Sequence, residues 1–91
     1  MDTRSREIVL YLAKNGSCPF EEWLNNLRDR QARARIRKRL DRVAFGNLGD
    51  VKSVGAGVME LRITYGSGYR IYFSQVDDRI VLLLCGGDKK T

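Results

Sequence analysis

No histidine occurs among the 91 residues, and that absence excludes more chemistry than any residue present suggests. Neither a Ser-His-Asp nor a Cys-His arrangement can be built, and no histidine pair can act as acid and base on RNA. Cysteine is scarce as well. Cys18 and Cys85 form no CxxC pair, so with no histidine a zinc site lacks its common ligand types in sufficient number. Cys18 precedes the single proline and Cys85 lies in an apolar run, so both read as small, inert residues of a reducing cytoplasm. Long apolar runs are missing too: none exceeds six residues, the length of Ile80 to Cys85, against the ~20 needed to cross a bilayer. No metal, no cofactor and no membrane span are therefore expected. A chain of this length has room for one hydrophobic core, which predicts a single domain over 1–91.

Negative charge is also in short supply. Eleven acids face seventeen Lys and Arg, for a net charge of +6. Such a bias suits a polyanionic partner: nucleic acid, ribosome, anionic membrane or an acidic protein.

What is present divides into clear segments. Residues 7–14, Glu-Ile-Val-Leu-Tyr-Leu-Ala-Lys, read as a strand apolar on both faces, closed by an Asn15-Gly16 turn. Ser17 is placed to cap a helix that has Pro19, Glu21 and Glu22 in its first turn. Phe20, Trp23, Leu24 and Leu27 make its apolar stripe. A second helix, about Asp29 to Phe45, carries Ala32, Ile36, Leu40, Val43 and Ala44 on one stripe and ends at Gly46. Around that stripe stand Arg30, Arg33, Arg35, Arg37, Lys38, Arg39 and Arg42, with Asp29 and Asp41 as the only acids nearby. A glycine-rich approach, Val51 to Val58, leads into three strands of a β-meander. The expected class is α+β in the order β-α-α-β-β-β, a helical hairpin on one face of a small curved antiparallel or mixed sheet.

The polar positions of the meander then fall on the face the helices leave bare. Arg62 and Arg70 share it if Leu61, Ile63 and Ile71 face the helices. Lys52, Lys89 and Lys90 can converge on the same rim, with Tyr65, Tyr69 and Tyr72 interleaved for base stacking. Arg33 and Arg37, within the basic helix, are candidates for further phosphate contacts. With no histidine, an RNA cutter of this composition has to use the substrate's own 2′-hydroxyl as nucleophile. Arginine would stabilise the phosphate, and Lys or Tyr would serve as weak acid and base.

The chain resembles the RelE/ParE toxin superfamily, and within it the phage-derived, HigB-like addiction module killer proteins. The segments that carry the resemblance are Phe20-Glu-Glu-Trp-Leu, Arg30-Gln-Ala-Arg-Ala-Arg-Ile, Gly49-Asp-Val-Lys, Glu60-Leu-Arg-Ile, Gly68-Tyr-Arg-Ile-Tyr-Phe and Leu84-Cys-Gly-Gly-Asp-Lys. It implies a RelE-like fold and a ribosome-dependent endonuclease that cuts mRNA, is neutralised by a cognate antitoxin, and works in the cytoplasm. It assigns Arg70 to the scissile phosphate and gives Lys90 a catalytic role. Arg62 matches only approximately, and Lys52 matches a basic residue on the cleft rim. It also implies a C-terminal segment beyond Asp88-Lys89, which a chain ending at Thr91 would lack. The expectation that follows is weakened cleavage, a surviving fold and self-association through the uncovered sheet. Two other functions are compatible with these residues: a ParE-like inhibitor of DNA gyrase, and a non-catalytic remnant that still binds RNA or antitoxin.

Overall fold

The computed structural model describes residues 5–77 and 80–88. Seven elements follow one another: β1 (Glu7–Leu10), α1 (Pro19–Asn26), α2 (Arg30–Ala44), β2 (Val51–Gly55), β3 (Val58–Ile63), β4 (Tyr69–Gln75) and β5 (Ile80–Asp88). The strands form one mixed sheet in the order β1-β5-β4-β3-β2. β1 runs parallel to β5 and every other neighbouring pair is antiparallel. Two helices lie on one face, α1 against β5 and α2 against β3. The fold is α+β, as the hydrophobic periods imply, with one strand more than expected.

That extra strand is β2. Its residues are exposed apart from half-buried Val51, so no alternation of apolar and polar side chains marks it. It joins β3 through Ala56 and Gly57, both at positive φ (54° and 76°), the combination a two-residue hairpin turn requires. A register shift between Ser53 and Gly55 and the outward Lys52 blunt this edge against further pairing.

β1 is shorter than the apolar run of residues 7–14. Its pairing ends at Leu10 opposite Leu83, next to the point where Leu84 drops out of the β4–β5 register. Tyr11 and Leu12 are exposed, and the chain closes into a turn in which Ala13 N–H donates to the Ser17 carbonyl. The helix start also differs: Cys18, not Ser17, occupies the N-cap of α1, with no side-chain cap bond, and Pro19 opens the first turn. In α2, Asp29 does cap, its Oδ1 accepting from the backbone N–H of Gln31 (2.9 Å) and Ala32 (3.2 Å).

The core lies between the helices and the sheet. Ile36, Val43, Leu61, Ile71, Phe73, Val81 and Leu83 are its fully buried side chains. Leu61, Ile71 and Gly86 align across β3, β4 and β5, and the Trp23 indole rests on Gly86, where a β-carbon would collide with the ring. One expectation fails inside this core. Arg39, expected among the outward cations of α2, is only 8% exposed and continues the stripe of Ala32, Ile36 and Val43. Its Nη2 donates to the Leu48 carbonyl, and Gly49, at φ 68°, leaves room for the guanidinium. Helical spacing puts residue 39 on the inner face whatever its charge, and its long side chain reaches the 48–50 turn from there.

Candidate nucleic-acid interface

On the face away from the helices, strand register stacks two rows of polar side chains. Arg62 on β3 stands directly opposite Arg70 on β4, with Gly87 of β5 beyond it. The next row on the same face is Lys52, Glu60, Tyr72 and Cys85, one from each of β2, β3, β4 and β5. The condition set by the sequence is thus met, since Leu61, Ile63 and Ile71 are buried under the helices and both arginines point the other way. Glycine at 87 leaves the space beside Arg70 free of side chain.

Two guanidiniums opposed across a ladder repel each other. Glu60 offsets this. Its Oε1 lies 3.5 Å from Arg62 Nε, its Oε2 lies 3.7 Å from Arg70 Nη1, and Tyr72 donates its hydroxyl to Oε2 at 3.3 Å. The Glu60 side chain is 9% exposed, whereas those of Arg62 and Arg70 are 43% and 34% exposed. The carboxylate is therefore held beneath the two cations while the cations face solvent. At 3.5–3.7 Å the contacts are Coulombic and longer than hydrogen bonds, so the N–H groups of both arginines remain available to an incoming anion. Asp50 adds a longer contact, 4.0 Å from Arg62 Nε, and its carbonyl accepts from the Arg62 backbone N–H at 3.1 Å. Sequence reading treated Glu60 only as a wet-face residue. The i, i+2 pairs Glu60/Arg62 and Arg70/Tyr72 signal one shared face, but the register that brings them together is visible only in the sheet.

The other expected site residues are distributed unevenly. Lys52 lies on the same face, across from Glu60 on the edge strand. Tyr69 borders a cleft of about 190 Å³ together with Arg62 and Arg70, yet its ring packs edge-on against Trp23 at 6.3 Å on the helix side. Tyr72, not Tyr69, is the aromatic side chain of the arginine face. Arg33 is tied into the turn between the helices, its Nη1 donating to the Leu27 carbonyl at 2.7 Å. Arg37 is exposed on α2 and does not border that cleft. Lys89 and Lys90 lie outside the described residues. Burial pushes the Cys85 thiol up, which disfavours the thiolate. Among the described residues no three metal-ligating side chains come together, and no helix is long and apolar enough to cross a membrane.

The profile of the phage-derived Gp49-like proteins (DUF891) matches residues 22–91. An uncharacterized protein of Haemophilus influenzae is 50% identical over 72 residues, which cover 79% of this chain and 73% of the relative. No solved structure gives a significant match.

Proposed function

Because the chain belongs to the phage-derived Gp49-like proteins, a family of addiction-module toxins of the RelE and HigB type, we propose that it is a toxin that cuts mRNA on the ribosome. A toxin of this kind is partnered by an antitoxin; the ribosome and its mRNA are the targets proposed here. The observation that carries the reading is the pair Arg62 and Arg70, directly opposed on one open face and bridged from below by Glu60.

The chemistry follows from that arrangement. A phosphodiester seated on the two guanidiniums meets donors in fixed geometry where negative charge grows as the 2′-hydroxyl attacks phosphorus. The Glu60 carboxylate, next to both arginines, accepts the 2′-hydroxyl proton in this reading. Tyr72, hydrogen-bonded to that carboxylate, and Lys90 are the candidates to protonate the departing 5′-oxygen. Lys52 extends the positive face across from Glu60, and Tyr69 edges the cleft. A carboxylate is a weak base for a hydroxyl, so rate depends on the ribosome holding the RNA in an attack-ready conformation.

Induction of the gene followed by mapping of mRNA 5′ ends tests this. The expected result is new breaks inside codons of translated messages, lost in Arg70→Ala and strongly reduced in Arg62→Ala, with growth restored in parallel. Intact messages with stalled replication, and toxicity unchanged in Arg70→Ala, would transfer the activity to DNA gyrase.

A further inference from the structure

Beside the arginine face lies a second, larger cleft, of about 410 Å³, between α2 and the end of β3. Arg35, Lys38, Arg39 and Arg42 line it from the helix and Arg62 from the strand, against the single carboxylate of Asp50. The four helix residues recur at i, i+3, i+4 and i+7, so they form one row along α2. Neither Arg33 nor Arg37, the helix cations singled out from sequence, borders it.

Arg39 adds a buried positive charge to the wall of this cleft. Its side chain is more than nine-tenths buried, Nη2 is taken by the Leu48 carbonyl, and Nη1 is buried with no hydrogen-bond partner. Burial and the neighbouring Arg42 both disfavour its charge, and Asp50 offsets them only in part. Holding the 48–50 turn accounts for Nη2 alone. It does not account for the idle Nη1 or for three more cations at the same opening. A buried guanidinium next to further cations is costly, and an anion held among Arg35, Lys38 and Arg42 at the cleft mouth would relieve that repulsion. Arg35 is held in place by stacking 4.7 Å over the Tyr65 ring, which leaves its edge donors free.

We propose that this cleft binds phosphates of the same RNA strand that crosses Arg62 and Arg70, so that the strand bends around Arg62 from the sheet face onto α2. The inference rests on the RNA-cutting reading above. Its physical basis is continuity: Arg62, Asp50, Ile63 and Thr64 border both clefts, so a backbone leaving the smaller one enters the larger without a gap. Arg62 is the cation on that shared border, so one guanidinium faces both clefts.

Binding of a 5′-labelled, fully 2′-O-methylated single-stranded RNA of twelve nucleotides, followed by fluorescence anisotropy over a range of salt, decides it. Lys38→Glu/Arg42→Glu alters the cleft rim, and Arg28→Glu/Arg30→Glu applies the same charge change to exposed positions at the start of α2 outside it. Two lost phosphate contacts lower the salt slope by ~1.4 and affinity by roughly tenfold in the first double variant. The control pair changes affinity less than about threefold, since it acts only through long-range charge. Circular dichroism verifies that both variants fold. Equal losses in the two variants, or no loss in Lys38→Glu/Arg42→Glu, overturn the proposal. If Arg70→Ala weakens binding while the cleft variant does not, only this inference falls. If the wild-type chain binds no RNA at all, the RNA-cutting reading falls with it.

Discussion

Glu60 is the residue on which the open face turns. It is 7% exposed, yet it faces two guanidiniums and a phenol. Replacing it by glutamine keeps the shape and removes the charge that separates Arg62 from Arg70. Both arginines are at least a third exposed and therefore partly screened by water, so the expected loss is only about 1 kcal/mol in urea unfolding. Cleavage should fall much further, because the proposed proton acceptor is gone; a glutamine variant of full activity would remove Glu60 from the mechanism. Cys85 predicts a pH effect. Its folded pKa lies above the ordinary value of 9.0 because burial disfavours the thiolate. The unfolded chain thus releases its proton first, so this contribution is complete below pH 9 and is lost as pH rises through the folded value. Thermal melts should show a steeper alkaline decline for the wild type than for Cys85→Ala. At this scale the sequence disclosed that Arg62 and Arg70 share the face away from the helices, through alternation along two strands. It hid Glu60 and Arg39, because which neighbour a charged side chain meets depends on register and on turns distant in sequence.

Among the elements, α2 was legible nearly to the residue, since Asp29, the apolar stripe and Gly46 all act locally. β2 was not. Its side chains are wet on both faces, and its turn uses Ala56 where asparagine or glycine is usual. Ala56 sits at φ 54° at a steric cost that glycine does not carry. Ala56→Gly should therefore raise stability by ~0.5–1 kcal/mol, read as a higher melting temperature with the same fold. A lower one would mean that the extra freedom of the unfolded chain outweighs the relief. The contact of α1 with β5 makes the opposite prediction. Gly86→Ala forces Trp23 off the sheet and should cost more than about 2 kcal/mol, visible as a lowered melting temperature. The apolar run of residues 7–14 misled in a different way: hydrophobicity said where a strand could run, and the Leu84 irregularity decided where it stops.

For the whole molecule, charge and topology set the behaviour. With a net charge of +6 and cations lining both clefts, RNA binding should weaken in proportion to the logarithm of salt concentration. The mixed order β1-β5-β4-β3-β2 could not be derived from composition or period, because parallel pairing of β1 with β5 links residues about seventy positions apart. A chain stopped after Asp77 lacks the strand that joins β1 to β4 and the floor on which Trp23 rests. It should show no cooperative urea transition, and a sharp one would mean that the β5 contacts are dispensable.

The placement of β5 between the first strand and the arginine-bearing pair also fixes a timetable. During translation Arg62 and Arg70 leave the exit tunnel before the strand that completes their sheet, so a growing chain is an unfinished tool. The face that carries the two arginines is therefore finished only once β5 has emerged.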